Sequence, residues 1–214
     1  MQPLIIKSFY DQAATMISYV VTDKVTGYSA VIDPIFDSDS DCVSTTTPDA
    51  IIAYLQQNNF HLQWILETHA DNRYVTASNY LKCHQGGQIG ISELSSDGRQ
   101  FDYLFSDNEL VDFGLLKIHI INTPGYTAGC VSYLIEDAVF VGNIMQKVNK
   151  GDAHSDLPEE NMNALYHSTK KILSLPNHTR VFLGYDHTSQ DSEHIVGETS
   201  VIEEKFNNLH LCHI

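Results

Sequence analysis

The chain has 214 residues, 43% of them hydrophobic, enough for one domain with its own core. Twelve Lys and Arg face 27 Asp and Glu, and the formal charge of −15 repels nucleic acid and anionic lipid. No apolar run approaches the roughly 18 residues of a membrane span, and Leu4, Ile5 and Ile6 run straight into Lys7 and Ser8, so no secretory leader is read.

A cytoplasmic protein with neither a membrane nor a nucleic-acid partner is therefore expected. Cys42, Cys83, Cys130 and Cys212 lack CxxC spacing, which argues against a disulfide framework and against a thiolate zinc site.

In chain order, Leu4–Ser8 reads as a strand. Ser18–Thr22 and Ala30–Asp33 read as a hairpin turning at Lys24–Gly27. Phe36–Thr47, rich in Ser, Thr and Asp, reads as a loop. Pro48 opens a helix with Thr47 as its cap and Ile51, Ile52, Tyr54 and Leu55 on its apolar face. Leu62–Leu66 is an apolar strand that ends in a polar cluster, Glu67, Thr68, His69, Asp71, Asn72 and Arg73. A helix over Tyr74–Cys83 follows, with Val75, Tyr80 and Leu81 inward.

Gly86 and Gly87 break the chain before a short strand, Gln88–Ile91, and Ser95–Arg99 is turn chemistry. Leu110–Phe113 and Leu116–Ile121 are strands around Gly114, leading to a second polar corner, Asn122–Gly129. Val131–Ile135 and Ala138–Val141 form a hairpin that ends in Gly142 and Asn143. Glu159–Leu173 is a helix with Met162, Leu165, Ile172 and Leu173 inward. Thr179–Leu183 is a strand ending at Gly184, Tyr185, Asp186 and His187, and Glu198–Asn207 is a last helix.

A β-rich half, a helix, a second β-rich half and a helix predict an α/β fold. Two sheets would pack face to face with helices outside, as a single domain over 1–214. Polar corners following strands converge on one site, because ligands gather at the carboxyl ends of strands.

SYVVTDKVTGYSAVIDP (Ser18–Pro34), WILETHA (Trp64–Ala70), NTPGYTAGCVSYLI (Asn122–Ile135), AVFVGN (Ala138–Asn143) and ETSVIEEKFNNLH (Glu198–His210) carry a resemblance. They are similar to the metallo-beta-lactamase superfamily, in the branch of persulfide dioxygenases and beta-lactamase-like hydrolases related to glyoxalase II. The resemblance covers nearly the whole chain and implies an αββα sandwich of two mixed sheets with helices outside.

It also implies a metal site that this chain lacks in most positions. The family's His-x-His-x-Asp-His run after the strand keeps only His69. Asp71 stands at the second histidine, Arg73 at the aspartate and Tyr74 at the third histidine. Tyr126 stands at the histidine after TPG, Asn143 at the aspartate after the hairpin, and Tyr185 at the histidine of the last corner, beside Asp186. In the dioxygenase branch, iron would sit on the positions of His69, Tyr126 and Asn143.

A catalytic divalent site needs about three good ligands. A tyrosine with pKa near about 10 ligates poorly at neutral pH, and Arg73 carries a fixed positive charge. The sequence therefore predicts a degenerate site with no resident cofactor, and a binding or regulatory role in place of the parental catalysis. Its ligand is expected to be a small thiol, a persulfide or a partner protein, and the resemblance makes a homodimer the expected assembly.

Two alternatives stand beside it. In one, iron or zinc is held by His69, Asp71 and Asn143, or ferric iron by Tyr126, Tyr74 or Tyr185 as phenolates with His69 and Asp71, for a hydrolase or persulfide dioxygenase. In the other, Cys130 or His187 acts without a metal. His154 and Asp186 are further candidates for the pocket lining.

Overall fold

The computed structural model describes residues 3–11, 13–39, 42–70, 75–95, 100–145, 159–185 and 197–207. The first half contains β1 (Leu4–Asp11), β2 (Met16–Asp23), β3 (Tyr28–Ile32), β4 (Asp37–Asp39), β5 (Cys42–Ser44), α1 (Thr46–Gln57), β6 (His61–Leu66), α2 (Ser78–Gln85), β7 (Gln88–Ser92) and β8 (Tyr103–Phe105). The second contains β9 (Leu110–Phe113), β10 (Leu116–Asn122), β11 (Val131–Ile135), β12 (Ala138–Gly142), α3 (Glu159–Leu173), β13 (Arg180–Leu183), β14 (Glu198–Ser200) and α4 (Val201–Asn207).

Two six-stranded sheets result, in the orders β1-β2-β3-β6-β7-β8 and β14-β13-β12-β11-β10-β9, with β4 and β5 as a separate ribbon. Each sheet is mixed. Strands β1-β2-β3, β9-β10-β11-β12 and β13-β14 pair antiparallel, while β3-β6-β7-β8 and β12-β13 run parallel. This is the α/β architecture expected from the sequence.

Alternation of side chains explains the layers. In β2, Ile17, Tyr19 and Val21 point to the space between the sheets. There they meet Ile32, Trp64, Leu66, Phe113, Ile120, Tyr133, Phe140 and Phe182. The residues between them, such as Val20, face outward with Val31, Ile65 and Ile89 and pack under Ile51 and Leu55 of α1 and Leu81 of α2. On the other side, Leu165, Ile172 and Leu173 of α3 cover Val139, Val141 and Val181. Strand β2 is buried along its whole length on both faces, with Ser18 and Thr22 sharing the outer face with Val20.

Several expectations are corrected. Phe36–Thr47 is not all loop, because Asp37–Asp39 pairs with Cys42–Ser44. Helix α1 starts at Thr46, with Thr45 at its N-cap, so Pro48 is inside the first turn and Thr47 is not the cap. Thr47 instead donates its backbone N–H (2.7 Å) and hydroxyl (2.5 Å) to the Asp37 carboxylate.

Helix α2 begins at Ser78 and not at Tyr74, because Thr76 forms a bridge with Ile35. Val75 is 57% exposed and does not face the core, and neither does Met162, at 41%. Tyr103–Phe105 is a strand the sequence reading omits, and Glu198–Ser200 is an edge strand before α4 rather than its first turn.

Candidate functional site

Four corners meet at one end of the sandwich because the parallel strands of each sheet end together. Strand β3 runs parallel to β6 with Ile32 opposite Leu66, so Asp33 and Thr68 emerge side by side. Backbone hydrogen bonds join the corners, both across the two sheets and within the second one. Val131 N donates to Thr68 O (2.8 Å), Gly184 N to Gly142 O (3.0 Å), and Ile17 N to Gly184 O (3.0 Å). Gly142 has a φ of +55°, and a Cβ there would run into the Thr68 side chain, so the close approach of these two corners needs a glycine.

The polar side chains form one directed chain of hydrogen bonds. Asp33 has a φ of +48°, a left-handed conformation that Asp tolerates, and this turns its carboxylate toward the β6 corner. It accepts the Thr68 backbone N–H on Oδ1 (2.7 Å) and the Thr68 hydroxyl on Oδ2 (2.7 Å). A hydroxyl has one proton, and Thr68 gives it to Asp33, so Thr68 Oγ1 is an acceptor toward His69 Nδ1 at 2.9 Å. His69 therefore donates from Nδ1, and with the Asn143 Nδ2 placed against Nε2 the ring reads as the Nδ1–H tautomer with a lone pair on Nε2. That lone pair lies 3.1 Å from Asn143 Nδ2, whose N–H donates to it. In this orientation of the Asn143 amide, its Oδ1 is buried without a hydrogen-bond partner.

His69 and Asn143 are 7% and 5% exposed, so this chain operates away from bulk water. Desolvation raises the Asp33 carboxyl from 3.8 to about 6, although both bonds from Thr68 pull it down. Burial also raises the Tyr133 phenol well above its ordinary range, with the Asp33 and Glu67 charges adding to the effect. Tyr133 donates its hydroxyl to the Glu67 carbonyl (2.7 Å), which fixes the strand end that carries His69. Glu67 Oε1 accepts the hydroxyls of Thr76 (2.9 Å) and Ser78 (2.7 Å), tying that same corner to the start of α2.

Of the residues singled out from sequence, the structure brings His69, Asn143 and Tyr126 together. The Tyr126 ring stands edge-on to the His69 ring, with centroids 5.3 Å apart. Its corner is held to α3 by the Ser168 hydroxyl, which donates to Pro124 O (2.6 Å). Tyr185 lies on the adjoining corner, bridged to Met16 and packed with Ala14 and Ile35. Cys130 is a buried thiol whose Sγ accepts the Thr127 N–H (3.2 Å), and it packs with Ile121 and Val139 behind the corner. Asp71, Arg73, Tyr74, His154, Asp186 and His187 lie outside the described residues.

Asp33, and the acceptor role of Thr68, were not among the candidates. Their signal was a strand ending in Asp-Pro beside one ending in Glu-Thr-His, which becomes informative only once the strands are known to be parallel neighbours. Among the described residues, no three His, Cys, Asp or Glu side chains gather in a metal-binding group. Among the described residues, Asn143 and Tyr126 are the site candidates beside His69, one an amide and the other a phenol. No helix among the described residues is long and apolar enough to cross a membrane.

Comparison with known proteins follows the same geometry. The chain is 35% identical over 226 residues to the Beta-lactamase hydrolase-like protein of Xylella fastidiosa (strain Temecula1 / ATCC 700964), covering 97% of this chain and 52% of that relative. It therefore spans about half the length of that relative. It is 33% identical over 214 residues to Glyoxylase B2 of Dictyostelium discoideum, covering 90% of this chain and 73% of that one. The crystal structure of a metallo-beta-lactamase from Staphylococcus aureus subsp. aureus COL superposes with a TM-score of 0.81 at 20% identity, covering 100% of this chain and 64% of that one. No family model matches the chain.

Proposed function

This chain belongs to the metallo-beta-lactamase superfamily, and from that premise we propose that it binds a small thiol or persulfide at the His69 corner without a catalytic metal. Its relatives include a Probable metallo-hydrolase of Burkholderia pseudomallei (strain 1710b), 30% identical over 96% of this chain, and the Persulfide dioxygenase ETHE1, mitochondrial, of Bos taurus, 25% identical over 86% of this chain. The residues described at this chain's site do not fit the divalent ion such chemistry uses. A zinc or iron ligand must offer a lone pair at about 2.0–2.2 Å, and the His69 Nε2 lone pair is instead taken by the Asn143 amide at 3.1 Å.

That hydrogen bond is the observation that carries the proposal. In the family pattern the Asn143 position is a carboxylate, which would add charge and point oxygen at the metal. An amide of the same shape satisfies His69 with a proton. The chain from Asp33 through Thr68 still orients the imidazole, as an outer partner orients a metal-ligating histidine. The scaffold is kept while the inner ligands change character. His69 then supplies an acceptor that is already satisfied, Tyr126 a wall, and Asn143 a polar anchor.

The test is metal content after anaerobic incubation with iron(II) and, separately, with zinc. We expect less than about a tenth of an equivalent of either, given the ligand requirement. Near-stoichiometric iron or zinc would overturn the proposal. It would favour the reading in which His69, Asp71 and Asn143 hold a metal for thioester hydrolysis or persulfide oxidation, and those two assays would follow. Size-exclusion chromatography with light scattering would test the homodimer that the resemblance implies.

A further inference from the structure

Asn143 Oδ1 is one of the few buried side-chain oxygens among the described residues with no hydrogen-bond partner. A buried acceptor without a donor is costly, and such groups in folded proteins call for an explanation. Nothing in the packing of β12 requires it, since Asn143 follows the strand and its other branch is committed to His69.

The orientation is not arbitrary. Thr68 spends its proton on Asp33, so His69 donates from Nδ1, and Nε2 accepts from the Asn143 Nδ2 that faces it. Asn143 must then offer its NH2 to His69 and keep its carbonyl oxygen for something else. The family carboxylate at this position would accept from both of its oxygens, so the substitution leaves a neutral acceptor aimed by a fixed network.

We propose that Asn143 Oδ1 is the anchor for an N–H donor on the ligand, so that the site selects small aminothiols over thiol carboxylates. This rests on the metal-free reading above. Two features support the choice of an amine. A carbonyl oxygen can accept but cannot donate, and so repels a carboxylate while welcoming an ammonium or amide N–H. The protein's formal charge of −15 also favours a cationic ligand over an anionic one.

The experiment titrates the full chain, checked for metal content, with 2-aminoethanethiol, 1-propanethiol and 3-mercaptopropionate at pH 7.5. The Asn143 side-chain amide resonances report binding. We expect 2-aminoethanethiol to bind at least about tenfold more tightly than either of the others, the scale of one charge-assisted hydrogen bond. Asn143→Asp, which keeps the shape and adds charge, should widen the preference for the amine. Asn143→Leu should abolish it. Equal affinities, or a preference for 3-mercaptopropionate, in metal-free protein would overturn this inference and leave the metal-free reading standing. Metal uptake in the same preparation would overturn both.

Discussion

Replacing Asp33 with Asn tests the hydrogen-bond chain through both stability and tautomer. Burial raises the Asp33 carboxyl from 3.8 to about 6. Between these values the folded state holds a proton that the unfolded state has lost. Asp33 therefore contributes stability that is fully present below about pH 4 and is lost as pH rises through about 6. The shift of about two units corresponds to about 3 kcal/mol. The unfolding free energy of the wild type minus that of Asp33→Asn should thus fall by about 3 kcal/mol between pH 4 and 7. Urea unfolding at half-unit steps measures it, and groups common to both proteins cancel in the difference.

The same substitution should reverse the chain of hydrogen bonds. A carboxamide presents N–H to Thr68 Oγ1, so the Thr68 hydroxyl turns to donate to His69 Nδ1. The His69 proton then moves to Nε2, and the Asn143 amide rotates to accept it. Nitrogen-15 shifts of His69 would report the exchange. A pH-independent stability difference together with an unchanged tautomer would refute the reasoning from Asp33 to Asn143.

Other predictions follow from single contacts. Tyr133→Phe leaves the Glu67 carbonyl without its buried donor and should cost about 1–3 kcal/mol in urea unfolding. Gly142→Ala would press a methyl onto the Thr68 side chain at a positive φ. It should destabilise by about 1–3 kcal/mol and broaden the His69 ring signals. Arg180 holds Asp137 by two bonds of 2.9 and 3.0 Å, and its hydrogen bond is the main cause lowering the Asp137 carboxyl. Arg180→Met should cost about 1 kcal/mol at pH 7 for this partly exposed pair. The loss should shrink as pH falls through the lowered Asp137 value, because the carboxylate's contribution is present above about pH 4 and disappears on protonation.

The strands that frame the site were legible because they are long, apolar and bounded by turn residues, as with Ser18–Thr22 and Ala138–Val141 inside β2 and β12. The three-residue strands were not. Asp37–Asp39 and Cys42–Ser44 carry turn-forming residues and gain their pairing from each other. Glu198–Ser200 looks like the first turn of a helix until β13 is placed beside it. The start of α2 was misread because the hydroxyls of Thr76 and Ser78 serve the buried Glu67, a tertiary demand that local periodicity does not carry.

Within the site, His69, Tyr126 and Asn143 were marked by their positions in family-like motifs. Which atom of Asn143 faces His69 was not legible. It depends on a proton given away by Thr68 to a residue on another strand, 35 positions back in the chain.

The most direct measurement is the nitrogen-15 spectrum of the His69 ring at pH 7.5, with and without added zinc. The account predicts a protonated Nδ1 and an unprotonated, hydrogen-bonded Nε2, both unmoved by zinc. A protonated Nε2, or an Nε2 signal that shifts with zinc, would contradict it, because the Asn143 amide would not then hold the lone pair that a metal needs.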